Sequence, residues 1–246
     1  MIYAELLKLK RAQLWVVAFI LPLLAVVTGT ANTVGNAGVV SQNWEGLMSQ
    51  ITLFYGLFFC AIGISVMVAA GWRMEHRGNN WNQVHTTTSN YFGFMMAKVL
   101  VLLLPVAGMN VMLLVLSTIA GKLVAGFSGM PPWYVTAPLL LTVVAAAPLV
   151  ALQSLFSSWF QSFGVPVGLG LLGVIAGFGI IQKFQTLAFI VPHAFVAQIG
   201  LMGSIAVDGP LPATADSALK TVITSVIGTL VLSLIGSYVL RWRKTL

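Results

Sequence analysis

Charge is what this chain has least of. Only 7% of its 246 residues are Asp, Glu, Lys or Arg while 59% are hydrophobic, and a soluble surface needs roughly a quarter of its residues charged. The sequence is that of an integral membrane protein. Acidic residues are scarcest, five against twelve Lys and Arg, for a net charge of +7. In a membrane chain such an excess points to cytoplasmic loops and anionic headgroups. Nucleic acid is not an expected partner, because no basic stripe carries interleaved aromatics. The single cysteine, Cys60, lies in an apolar run, which excludes an internal disulfide and a cysteine metal site.

The apolar runs hold no Asp, Glu, Lys or Arg beyond Lys98 at an inner span end. Proton- and ion-coupled carriers keep an ionisable group at membrane depth because such groups are costly there and persist only for a function. Energy for any transport is therefore expected from outside this chain. Enzyme signatures are missing too. Glu75-His76 stands alone, with His85 and His193 too distant for an H-E-x-x-H metal site, and Asp208 and Asp216 share one outer loop. Gly168-Leu169-Gly170-Leu171-Leu172-Gly173 matches a dinucleotide fingerprint in spacing only, since no strand precedes it and no acid follows about 20 residues on. There is no G-x-x-x-x-G-K-[ST] loop for ATP, so neither catalysis nor a bound cofactor or metal is expected of the chain.

Length decides what is present. About 20 apolar residues cross a hydrocarbon layer of about 30 Å, and the runs that qualify are roughly 13–31, 47–71, 94–120, 135–159, 163–182 and 221–240. The expected fold is all-α, a single six-span membrane domain over 1–246. A signal peptide competes for the first run, but Pro22 and the lack of a small-x-small cleavage site favour a retained span. With both termini inside, Lys8, Lys10, Arg11, Arg73, Arg77, Arg241, Arg243 and Lys244 face the cytoplasm, leaving Lys122, Lys183 and Lys220 outside, as the positive-inside rule requires. Residues 184–207 are apolar enough for a seventh span, yet Pro192, His193, Gln198, Gly200 and Gly203 interrupt them. A re-entrant or interfacial pair of short helices is expected there.

Residues 1–12 read as an amphipathic surface helix carrying Glu5, Lys8, Lys10 and Arg11. Between spans two and three, residues 71–93 form the longest polar interruption. Gly78 breaks the chain, Asn79 or Asn80 is a candidate cap, and Trp81, Val84 and Thr88 recur at helical spacing. A docking helix and a plain connecting loop both fit. In the fifth span Gly164, Gly168, Gly173 and Gly177 allow close helix approach, and Ser225, Thr229, Ser233 and Ser237 give the last span a narrow small face. Phe54, Tyr55, Phe58, Phe59 and Met67 give span two an adaptable apolar surface, suited to packing or to a hydrophobic ligand.

The N-terminal Glu5-Leu6-Leu7-Lys8-Leu9-Lys10-Arg11, the six spans, and Glu75-x-x-Gly78-x-x-Trp81 leading to Lys98 resemble the permease subunit of an ABC exporter of the second type. The resemblance is to the bacterial branch of lantibiotic-immunity and bacitracin-export permeases. It implies a cell-membrane protein whose loop after span two engages a separate ATP-binding subunit, which binds the ATP and Mg. Glu75, Arg77, Gly78, Trp81, Val84 and His85 then become coupling contacts. It also implies a second permease chain, identical or homologous, and a path for an amphipathic substrate, an antimicrobial peptide or drug-like molecule, lined by Phe54, Phe58, Met67 and Phe178 of spans two and five. Where the family often has Pro followed by a basic residue, this chain has Thr88, Ser89 and Asn90. The rival reading is a non-transporting assembly or sensor protein that recruits a cytoplasmic partner through 71–93.

Overall fold

Helix is the only regular structure among the described residues of a computed structural model, which are 2–9, 14–77, 80–206 and 211–242, with the side chains of 80, 83 and 87 left aside. A short surface helix, α1 (Ile2–Leu9), precedes α2 (Leu14–Gly35). The second span is α3 (Trp44–Phe54) continued through a π-turn (Tyr55–Phe59) into α4 (Cys60–Arg73). A two-turn helix, α5 (Asn80–Thr87), leads to α6 (Tyr91–Leu123), α7 (Trp133–Trp159) and α8 (Gly164–Lys183). After a 3₁₀ turn (Leu187–Phe189) come α9 (Pro192–Gly200) and α10 (Ala215–Trp242).

Six helices have the length and apolar character to cross a membrane, at the positions the apolar runs indicate. Two of their starts are set by side-chain caps that a hydropathy count does not see. Asn43 Oδ1 accepts from Gly46 N at 2.8 Å and begins α3, and Asn90 Oδ1 accepts from Gly93 N at 2.9 Å and begins α6. Each satisfies one of the amide donors a helix start leaves open. Asn80 is the first residue of α5, while Asn79, the other candidate cap, lies outside the described residues. Pro22, Pro105, Pro138 and Pro148 sit inside helices that continue through them. The backbone irregularity falls instead at the π-turn, against which α9 packs.

Leu47, Ile51, Ile64, Met67, Trp72, Met95 and Met109 are fully buried in one core that joins α2, α3, α4, α6 and α7. α10 packs chiefly on α7 with Ser225, Thr229 and Ser233 buried along its length. Of the stretch 184–207, the described residues 184–206 do not cross the bundle: α9 is nine residues long and folds back into it, buried from His193 to Gly200. Only 22% of the apolar stretch of α8 is buried within the chain, so most of its surface faces outward. The four glycines expected to form its packing face divide accordingly. A Cβ on Gly173 would lie 2.3 Å from the His193 ring and one on Gly177 3.0 Å from Ala194 N, whereas one on Gly168 would meet nothing within 4 Å and one on Gly164 only Ser162 Oγ at 3.8 Å. The Gly164 and Gly168 pair, expected to mediate helix packing, makes no helix contact within the chain because it lies on the outward face.

Candidate functional site

Four charged side chains meet where α1, the end of α4 and the start of α6 converge. Glu5, Lys8 and Leu9 stand at helical spacing on one face of α1, so this face turns inward while Ile2, Tyr3, Leu6 and Leu7 are exposed. The outward apolar face suits a helix lying on a membrane surface. Lys98 extends from α6 about two turns past its start. Its Nζ donates to Glu5 Oε2 at 2.8 Å and to Glu75 Oε1 at 2.6 Å, while Lys8 Nζ donates to Glu5 Oε1 at 2.7 Å and to Glu75 Oε1 at 2.5 Å. The four bonds close a ring whose formal charge is zero.

Glu75 and Lys98 are each 1% exposed and Glu5 5%, so none of them could stay charged alone without a desolvation cost of several kcal/mol. Burial by itself would raise the Glu75 carboxyl, but Lys98 and Lys8 outweigh it and hold that carboxyl below its ordinary range. Burial would likewise lower Lys8, and the two carboxylates reverse that and raise it. The Lys98 ammonium also lies 4.9 Å from the Trp72 ring centre and 5.7 Å from that of Phe94, within cation–π range.

Two sequence expectations change here. Lys98 is not at a span's end but inside α6, so the third span does carry a charge, neutralised by two carboxylates distant in sequence. Glu75, expected as a surface contact, points inward, because its carboxylate is the natural partner for an ammonium that has no water.

Next to Glu75 the chain turns outward, and His76 ties the turn to two further elements. Its Nε2 lies 2.6 Å from the carbonyl of Ser157, in the last turn of α7, and Trp81 Nε1 donates to its Nδ1 at 3.2 Å. A carbonyl only accepts and an indole only donates, so these bonds fix the neutral tautomer with the proton on Nε2. The bond to Ser157 also satisfies a carbonyl that the end of α7 leaves open. Trp81 stacks between Trp72 and His85, at 6.2 and 5.9 Å between ring centres, and His85 Nδ1 pairs with the Tyr91 hydroxyl at 3.0 Å.

Trp81, Val84 and His85 thus form the inner face of α5, with Val84 buried and the two rings half-buried. What α5 and its approach present outward is Arg73, Arg77, Asn82 and Thr86, all exposed. Of the expected coupling contacts only Arg77 lies on that surface; Gly78 falls outside the described residues, as do Lys10 and Arg11 of the surface helix. Asn82 and Thr86 were legible as the polar side opposite Trp81 and Val84.

On the flank of the bundle Phe58 of the π-turn stacks with Phe178 of α8, 6.3 Å between ring centres and 28° between planes, and both are partly exposed. Spans two and five therefore meet at the aromatic pair expected to line a path, with Phe54 half-buried one turn away. Met67 is excluded from such a lining, being 0% exposed in the core. His193 is buried beneath α8 with Gln153 Nε2 3.4 Å from its Nε2, a partner that sequence reading did not identify.

The family described as ABC-2 family transporter protein matches residues 1–177. That span contains α1, the charge ring, α5 and most of α8. Neither the curated proteins nor the solved structures gave a match. With nearly three-quarters of its length matched and six membrane-length helices, the chain belongs to the ABC-2 family of transporter proteins.

Proposed function

We propose that this chain is the permease subunit of an ATP-driven exporter. A separate ATP-binding subunit, holding ATP and Mg, docks on the segment around α5, and a second permease chain, identical or homologous, completes the path. The observation that carries this reading is the closed ring of Glu5, Lys8, Glu75 and Lys98. It clamps the surface helix and the turn before α5 to α6, so a push on α5 reaches α4 through Trp72, α6 through Lys98 and α7 through His76 together. A connecting loop without a mechanical task needs no buried ion network, which is costly to assemble. The exposed Arg77, Asn82 and Thr86 are the contact surface, and Trp81, Val84 and His85 hold α5 in place. The termini lie in the cytoplasm by the distribution of basic residues. Phe54, Phe58 and Phe178 flank the route of an amphipathic substrate, of the antimicrobial-peptide or drug-like kind.

Co-purification of the chain with its ATP-binding subunit tests this, comparing wild type with the Arg77→Glu, Asn82→Arg double substitution. Both side chains point away from the bundle, so insertion is preserved and the complex is expected to be lost. A complex that survives unchanged would move the docking surface elsewhere. No complex even with wild type would favour the assembly or sensor role.

A further inference from the structure

The proposed function makes no use of Glu45. It lies in the first turn of α3, at the other end of the second span from the charge ring, separated by 30 residues of helix or about 45 Å at 1.5 Å per residue. Under the orientation proposed above this is the outer face. Glu45 lines a cavity of about 130 Å³ between α3, the start of α7 and the chain after α9, together with Ser49, Thr52, Tyr134, Gly200 and Ser204. The cavity sits just above the π-turn, where a Cβ on Gly200 would come within 3.2 Å of Gly56 Cα.

The chemistry of the lining is one-sided. Tyr134 gives its proton to Glu45 Oε1 at 2.5 Å, Ser49 to the Gly46 carbonyl at 2.8 Å and Thr52 to the Met48 carbonyl at 2.8 Å. With those protons committed, the phenol and both hydroxyls offer only lone pairs, as does the carboxylate. All ion pairs among the described residues involve Glu5, Glu75 or Asp216, and no basic side chain neutralises Glu45. Ser204 Oγ accepts from Ala206 N at 3.2 Å and keeps a proton to give, but around Glu45 itself a visitor must bring hydrogen-bond donors and positive charge.

A bare divalent cation fits poorly, since hard cations take six or more oxygen ligands, usually with several carboxylates. An ammonium brings three donors on a compact charge. Met48, Val135, Pro138 and Met202 supply apolar wall for the methylenes behind it. The volume is well below the roughly 300 Å³ at which pockets for whole drug-sized ligands begin, so the cavity takes a head group and leaves the rest of the molecule outside.

We propose that this cavity binds the ammonium head of an amphipathic molecule. The exporter reading bears on where that molecule is going; binding itself does not depend on it. The ammonium could belong to a transported amphiphile or to an ethanolamine lipid, and the test separates them.

The full chain is placed in phosphatidylcholine nanodiscs and titrated with dansylcadaverine, a fluorescent primary amine on a five-carbon arm, and with its neutral N-acetyl analogue. Saturable binding of the amine alone is expected. Glu45→Gln, which keeps an acceptor for Tyr134, is expected to weaken it at least about tenfold, the scale of one charge-assisted hydrogen bond. Ser204→Trp, which fills the cavity and leaves the charge, should abolish it. In discs of phosphatidylethanolamine, a lower apparent affinity for wild type identifies the lipid as occupant, and an unchanged one identifies a transported amphiphile. Equal binding of the neutral analogue, or full binding by either variant, would overturn the proposal. Because no ATP-binding subunit is present, failure here leaves the exporter reading standing, and failure of the docking experiment leaves this one untouched.

Discussion

Replacing Lys98 with Met tests the charge ring most directly. Met is unbranched and only one atom shorter, so the stem's packing against Trp72 and Phe94 is largely preserved while the ammonium is lost. Glu5 and Glu75 are then left with Lys8 alone, and the ring passes from zero to a net charge of −1 in a site where Glu75 is 1% exposed. Removing one member of a buried ion network costs about 3–5 kcal/mol, because the remaining charge stays uncompensated. At about 2–4 °C per kcal/mol for a chain of this size, the unfolding midpoint should fall by roughly 6–20 °C. Thermal unfolding in nanodiscs, followed by size-exclusion recovery of folded protein, reads this. The decisive comparison is the double variant Lys98→Met, Glu75→Gln, in which Glu5 and Lys8 pair and the site is neutral again. It should recover most of the loss, since neutral replacements for buried ion networks are often tolerated. A single variant as stable as wild type, or a double variant worse than the single, would refute the ring as the clamp.

The pH dependence has a definite sign. Glu75 is depressed in the folded chain, so its contribution is present above the ordinary value of 4.5 and lost as pH falls through the lower folded value; Lys8 is raised, so its contribution is present below 10.5 and lost as pH rises beyond it. Stability should decline in wild type as pH falls below the ordinary carboxylate value of 4.5, and more shallowly in Glu75→Gln, read as the unfolding midpoint while pH is lowered from neutral. Gly173→Val places carbon against the His193 ring and should abolish recovery of folded protein, while Gly168→Val in the isolated chain should cost little, as measured by detergent-stable yield. His76→Ala removes the bonds that tie Trp81 of α5, through the turn before it, to Ser157 of α7, at about 1 kcal/mol each, and should speed amide exchange across residues 80–87 by roughly tenfold or more; unchanged exchange would show that Trp81 stacking alone holds α5.

The spans were legible because the requirement is local: about 20 apolar residues suffice, and every candidate run became a helix. The amphipathic α5 was legible in the same way, its inner residues following a helical period. What escaped was long-range. Lys98 finds Glu75 and Glu5 at separations of 23 and 93 residues, and no periodicity announces such a meeting, so a buried lysine read as an interfacial one and an inward carboxylate as an outward one. The π-turn escaped because nothing in Tyr-Gly-Leu-Phe-Phe distinguishes it; the close passage of Gly200 of α9, a tertiary contact, accompanies it. Glu45 drew no attention because a single acid near a helix start usually answers to the helix dipole.

The ring's electroneutrality reaches beyond stability. A membrane potential does work on a moving charge of about 2.3 kcal/mol per elementary charge per 100 mV, and on a body of zero net charge it does none. Under the proposed function, two lysines and two glutamates moving together as one unit would let α1, α4 and α6 shift during a cycle without drawing on the cell's voltage or being stalled by it. The proposed exporter would then keep the same stroke in energised and de-energised cells. Transport of an uncharged amphiphile, with the ATP-binding subunit present, into vesicles clamped at different potassium diffusion potentials should run at one rate for wild type, and acquire a voltage dependence when Lys98→Met leaves the unit with a charge of −1.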